Sequence, residues 1–153
     1  MSIERGLNWE VSHFTVPSAR LKDHWNNPDL KSILESETFD HVIIQEHSTN
    51  ILTAEQGNPK FYFDQITSLI PDSTSIHFFS TWMYPSMENL NINNEEYPIE
   101  ESIKQIIDGT TTTIIHIDRA FKLFKEKSPD LDILMQDNKH TNPNGSYLAS
   151  IIF

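Results

Sequence analysis

Cysteine is absent from the 153 residues. Disulfides, thiol nucleophiles and thiolate metal sites are excluded together, although the compartment stays open, since an exported protein can also lack disulfides. Glycine is scarce, with four in all, and the first is Gly6 in Arg5-Gly6-Leu7. Nowhere do about 18 apolar residues run together, and Met1 to Glu10 has no apolar stretch of signal-peptide length. The sequence therefore reads as a soluble chain with no address label, cytoplasmic as written. Basic residues are also few: 11 Lys plus Arg stand against 22 Asp plus Glu, a formal charge of -11. A surface that negative repels phosphate backbones and anionic headgroups, which argues against nucleic-acid and membrane partners.

What is present suits one globular domain over residues 1–153. Hydrophobic residues make up 37% of the chain, enough to bury a core at this length. Trp9 to Val16 nearly alternates apolar and polar side chains and reads as a short strand. Phe39 to Gln45, Ser75 to Ser80 and Thr112 to Ile117 are compact β-branched or aromatic runs of the kind buried on both faces of a sheet. Helical spacing occurs at Ser18–Trp25, Pro28–Glu35, Lys60–Ile70, Ile99–Asp108, Ala120–Lys127 and from Ser146 onward. Strands alternating with helices predict crossover units and a mostly parallel sheet in three α/β/α layers, with ligand groups at the strands' carboxyl ends. The end at Ser150-Ile151-Ile152-Phe153 is apolar and has no polar or Gly exit, as if the chain stopped within an element.

Two segments carry chemistry. In Asp137-Asn138-Lys139-His140, ahead of Thr141-Asn142-Pro143-Asn144-Gly145-Ser146-Tyr147-Leu148, a carboxylate precedes an imidazole by three residues in a polar turn. At that spacing Asp137 can accept the Nδ1 proton of His140, which fixes the tautomer and leaves Nε2 as a base. The plain alternative is a helix entry with Asn142 as N-cap and Pro143 first in the helix. Directly after the second strand run comes Gln45-Glu46-His47-Ser48-Thr49, where a Gln amide and loop N–H groups could face an oxyanion. Read alone, it is an ordinary polar loop.

Together these segments resemble the SGNH (GDSL-type) esterase superfamily, in its bacterial branch with a Leu-Gln-Glu-x-Ser-type strand end. The matching stretches are Ser18 to Trp25, Phe39 to Thr49, Ser80-Thr81-Trp82, and Asp137 to His140 with Gly145 to Ala149, in the family's order. The resemblance implies a flavodoxin-like sheet, no metal or other cofactor, and hydrolysis of a small-molecule or carbohydrate ester through a serine acyl-enzyme. It assigns His140 as general base and then acid, Asp137 as its orienting carboxylate, Gln45 and Ser48 to the oxyanion block, and Trp82 to the crevice wall. The glycine block should fall near Ser18-Ala19, where there is no glycine, and the proline expected after the histidine is Thr141.

The family's opening strand, ending in Gly-Asp-Ser or Gly-Asn-Ser, has no counterpart here, so no nucleophile is identified. Without that serine the acyl-enzyme route fails by orders of magnitude. Ser48, Ser12 and Ser18 are poor substitutes by position. In the order 2-1-3-4-5 the missing central strand would lie between Trp9–Val16 and Val42–Ile44. The expectation is an incomplete SGNH-like domain, inactive and unstable by itself unless the two flanking strands close directly or an oligomer or partner chain covers the gap. The competing readings are a non-catalytic pseudo-enzyme or ligand-binding remnant of the same fold, and a metal site drawn from His116, Asp118, Glu46, His47 and His140. None of the usual zinc spacings is present for the latter.

Overall fold

The computed structural model describes residues 9–91 and 93–152. Three parallel strands, β1 (His41–Ile44), β2 (Ser75–Phe79) and β3 (Thr113–Ile115), pair in the order β1-β2-β3, with Ile44 opposite Phe78 and Phe78 opposite Ile114. Parallel neighbours require crossovers. Between β1 and β2 the chain runs through α3 (Asn50–Thr53) and α4 (Pro59–Thr67); between β2 and β3 it runs through α5 (Pro98–Ile106). Two helices, α1 (Leu21–Trp25) and α2 (Pro28–Ser36), precede the sheet, and α6 (Ile117–Lys127) and α7 (Pro143–Ile152) follow it.

Local chemistry sets the helix starts. Asn27 and Asn58 cap α2 and α4, their side chains accepting from Asp29 N and from Lys60 N and Phe61 N, each with Pro at the first helical position. Asn142 caps α7 in the same way, accepting from Gly145 N at 3.0 Å. Strand alternation then divides the interior. Val42, Ile44, Ile76, Phe78 and Ile114 turn to one face and join Phe63 and Ile66 of α4 and Ile99, Ile103 and Ile106 of α5. Phe79 and Ile115 turn to the other face and meet Ile117 and Phe121 of α6 and Ile133. These are the helix layers on either side of the sheet.

Trp9 to Val16 is not a strand. It makes no ladder with the sheet among the described residues, and Trp9 and Val11 are 56% and 82% exposed. Period-two alternation marks a segment that can be half buried, but a strand exists only with a neighbour to bond. Where a gap between two strands was expected, β1 is instead the terminal strand of the sheet among the described residues, and Ile43 on one of its faces is half exposed. The strand expected over Thr112 to Ile117 stops at Ile115, and its last residues turn directly into α6. The described helices include none long and apolar enough to cross a membrane.

The glycine in Gly145-Ser146-Tyr147-Leu148 has a packing reason. A Cβ there would stand 2.1 Å from the carbonyl oxygen of Ile133, in the segment that seats α7 beside the His140 turn. Gly145→Ala is expected to destabilise by roughly 1–3 kcal/mol, the usual cost of overpacking; an unchanged midpoint in chemical denaturation would contradict this close approach.

Candidate functional site

The His140 turn is a tight, self-bonded structure. Leu134 and Thr141 form an antiparallel bridge at its base, and Met135 N donates to His140 O at 2.7 Å. Asn138 takes the left-handed conformation (φ 54), which Asn tolerates better than most side chains. Asp137 Oδ1 accepts from Lys139 N and His140 N at 2.9 and 3.0 Å, and Asp137 Oδ2 stands 2.6 Å from His140 Nδ1. Hydrogen bonding from the His140 ring, then from the two backbone N–H groups, lowers the Asp137 carboxyl to about 2. It is therefore ionised wherever the chain is folded at ordinary pH. The imidazole is 68% exposed, and Nε2 has no partner among the described residues.

Two contacts tie this turn to the sheet. The Trp82 indole N–H, from the loop leaving β2, donates to Lys139 O at 3.0 Å, while its ring stacks on Phe121 with centroids 4.7 Å apart. The Lys139 ammonium lies 5.5 Å from the Tyr84 ring centroid, and Tyr84 OH is 3.0 Å from Ser48 Oγ. His140, Trp82 and Ser48 are thereby gathered at the carboxyl ends of β1 and β2. The Gln45 side chain is exposed and makes no hydrogen bond among the described residues. Ser18, where the glycine block would fall, has φ 60. The backbone there keeps a conformation that favours glycine although the residue is serine.

Sequence reasoning took Glu46 only as a candidate metal ligand and missed its bracing role. Glu46 is 1% exposed; Oε1 accepts from Leu21 N (3.3 Å) and His47 N (2.6 Å), and Oε2 accepts from Asn50 Nδ2 (3.2 Å). One carboxylate thus holds the loop after β1 against the start of α1. Burial raises its pKa, and the donors from His47, Asn50 and Leu21 oppose the rise. The signal was present: Val42 and Ile44 face the core, so continued alternation sends Glu46 inward. His47, partly buried, has its pKa lowered by burial first and then by Arg20 and Lys139.

The sheet is parallel and covered by helices, with the Asp137–His140 pair at its carboxyl rim, and in fold it is similar to a solved SGNH-type structure. A protein from Slackia heliotrinireducens described as a candidate SGNH hydrolase has a solved structure that superposes with a TM-score of 0.71; the match has 21% identity and covers 88% of this chain and 77% of that one. At that identity the likeness establishes the fold. No family model matches the sequence, and no curated protein matches it.

Two measurements follow. Asp137 should titrate near pH 2 by carboxyl ¹³C NMR rather than at the ordinary 3.8. Because the folded-state value is depressed, whatever the contact contributes to stability is complete above about pH 4 and is lost as pH falls through about 2. Glu46→Ala should lower the unfolding free energy by at least the ~1–3 kcal/mol of one buried donor left unsatisfied. Glu46→Gln should cost less, since its amide oxygen still accepts; equal losses would mean that hydrogen bonding is not what Glu46 supplies.

Proposed function

We propose that the rim formed by His140, Asp137, Gln45, Ser48 and Trp82 is the acyl-ester crevice of an SGNH-type serine hydrolase, and that this chain holds its base without its nucleophile. The observation that carries the reading is the 2.6 Å contact between His140 Nδ1 and Asp137 Oδ2, with Nε2 left free. A carboxylate on Nδ1 holds the tautomer in which Nε2 accepts a proton, and it stabilises the imidazolium that then forms. His140 would take the proton of an attacking hydroxyl and later return it to the leaving alcohol; Gln45, with an uncommitted amide, would donate to the oxyanion. Trp82, held by its bond to Lys139, would form the wall against which the ester lies.

Among the described residues no serine hydroxyl bonds to His140, and Ser48 is engaged by Tyr84. The substrate class is a small-molecule or carbohydrate ester. The open edge of β1, with Ile43 half exposed, offers the place where a further strand, from an oligomer or partner chain, would pair. The second reading, a ligand-binding remnant without turnover, draws on the same absence of a hydroxyl at Nε2.

Hydrolysis of p-nitrophenyl acetate by this chain should be no faster than by its His140→Ala variant. Joining a strand-and-helix segment ending in Gly-Asp-Ser ahead of the chain should create ester hydrolysis that His140→Ala abolishes. A folded fusion without His140-dependent turnover overturns the hydrolase reading. If such a fusion nevertheless binds a non-hydrolysable ester analogue at Gln45 and Trp82, the remnant reading replaces it.

A further inference from the structure

The junction of β3 and α6 gathers a second group of polar side chains, at the same rim of the sheet but apart from the His140 turn. A carboxylate oxygen of Glu100 on α5, a ring nitrogen of His116 and a carboxylate oxygen of Asp118 lie within 4.8 Å of one another. Glu100 and Asp118 are 1% and 6% exposed. Asp118 commits Oδ1 to Ser80 Oγ at 2.7 Å, whereas its Oδ2 is buried with no hydrogen-bond partner. A carboxylate oxygen taken out of water without a donor is costly, and a bound cation is one partner that satisfies it.

The neighbouring cations are spent on Glu100. Arg119 engages both of its oxygens, with the Arg119 Nη2 to Glu100 Oε1 bond at 2.6 Å, and Lys104 Nζ stands 3.0 Å away. His116 Nδ1 lies 3.0 Å from Glu100 Oε2 and is itself partly exposed. Neither the Arg119 guanidinium nor the Lys104 ammonium bonds to Asp118 among the described residues.

We propose that Glu100, His116 and Asp118 form a binding site for a divalent cation of the zinc type. One imidazole nitrogen and two carboxylates are a donor set that zinc accepts, and three protein ligands leave a coordination position open. Arg119 acts as the resident substitute for the ion. Its side chain is half exposed and rests 4.9 Å from the Tyr97 ring centroid, so it can leave Glu100 and keep an aromatic contact. Asp118 also lines a cleft of about 230 Å³ with Trp82, Tyr97 and Phe121, which gives a small molecule room beside the site. Sequence spacing pointed to His116 and Asp118 but not to Glu100, and it grouped them with Glu46, His47 and His140. Glu46 is consumed by its own donors, and His140 faces Asp137.

Calorimetric titration of the chain with zinc chloride tests the site. The expected result is one saturable equivalent whose affinity falls roughly tenfold or more in His116→Ala, an exposed position where folding should persist. Asp118→Asn, checked for native circular dichroism, should weaken binding likewise. Arg119→Ala should tighten it, because a competitor is removed. Absence of saturable binding overturns the proposal, as does an affinity unchanged in His116→Ala. So does an affinity unchanged or weakened in Arg119→Ala, or binding lost in His77→Ala, which would move the ion to the His41–His77 pair, whose ring nitrogens are 3.0 Å apart.

Discussion

Parallel strands can be joined only by crossovers, so their carboxyl ends all emerge at one rim. In this chain that constraint gathers Gln45 to Ser48 after β1, Ser80 to Trp82 after β2 and His116 to Asp118 after β3. The strands are only three to five residues long, and each loop begins within a residue or two of the buried core. The Asp137–His140 turn comes from outside the sheet. It reaches this rim through Trp82, whose ring is stacked on Phe121 and whose N–H is spent on Lys139 O.

Buried carboxylates do different work around the rim. Glu46 faces inward and is satisfied by two backbone N–H groups and an amide, so it organises the loop from within. Glu100 is satisfied by a guanidinium and an ammonium; hydrogen bonding with Arg119 is the largest cause of its pKa falling to about 2. Asp118 has the Ser80 hydroxyl as donor to one oxygen and nothing on the other, and burial pushes its pKa up. Asp137 differs from all three: it is half exposed, and its pKa is low because it answers its own turn's donors and His140. The same functional group thus serves as brace, counter-ion, unfilled acceptor and orienting partner, according to what donates to it.

The α/β architecture was legible because its signals are local. Runs such as Val42 to Ile44 and Ser75 to Phe79 mark strands, though Ile43 is half exposed rather than buried, and Asn142 before Pro143 marks a helix start. Trp9 to Val16 was misleading for a reason of the same kind. Its alternation is real, but pairing depends on a neighbour that no local pattern can supply. The turn at Asp137 to His140 was readable in advance because both partners sit three residues apart in one loop. The Trp82–Lys139 bond, spanning 57 residues, was not.

The sequence by itself determined the three strands, most of the helices between them, the Asn142 cap and the carboxylate spaced to meet its own histidine, because each follows from side chains only a few residues apart. Tertiary structure alone decided that Glu46 would bond to Leu21, that Glu100 would stand beside His116 and Asp118, and that β1 would be the terminal strand among the described residues. Those outcomes depend on which backbone the crossovers bring alongside, and burial then sets the cost of every donor or charge left unmatched.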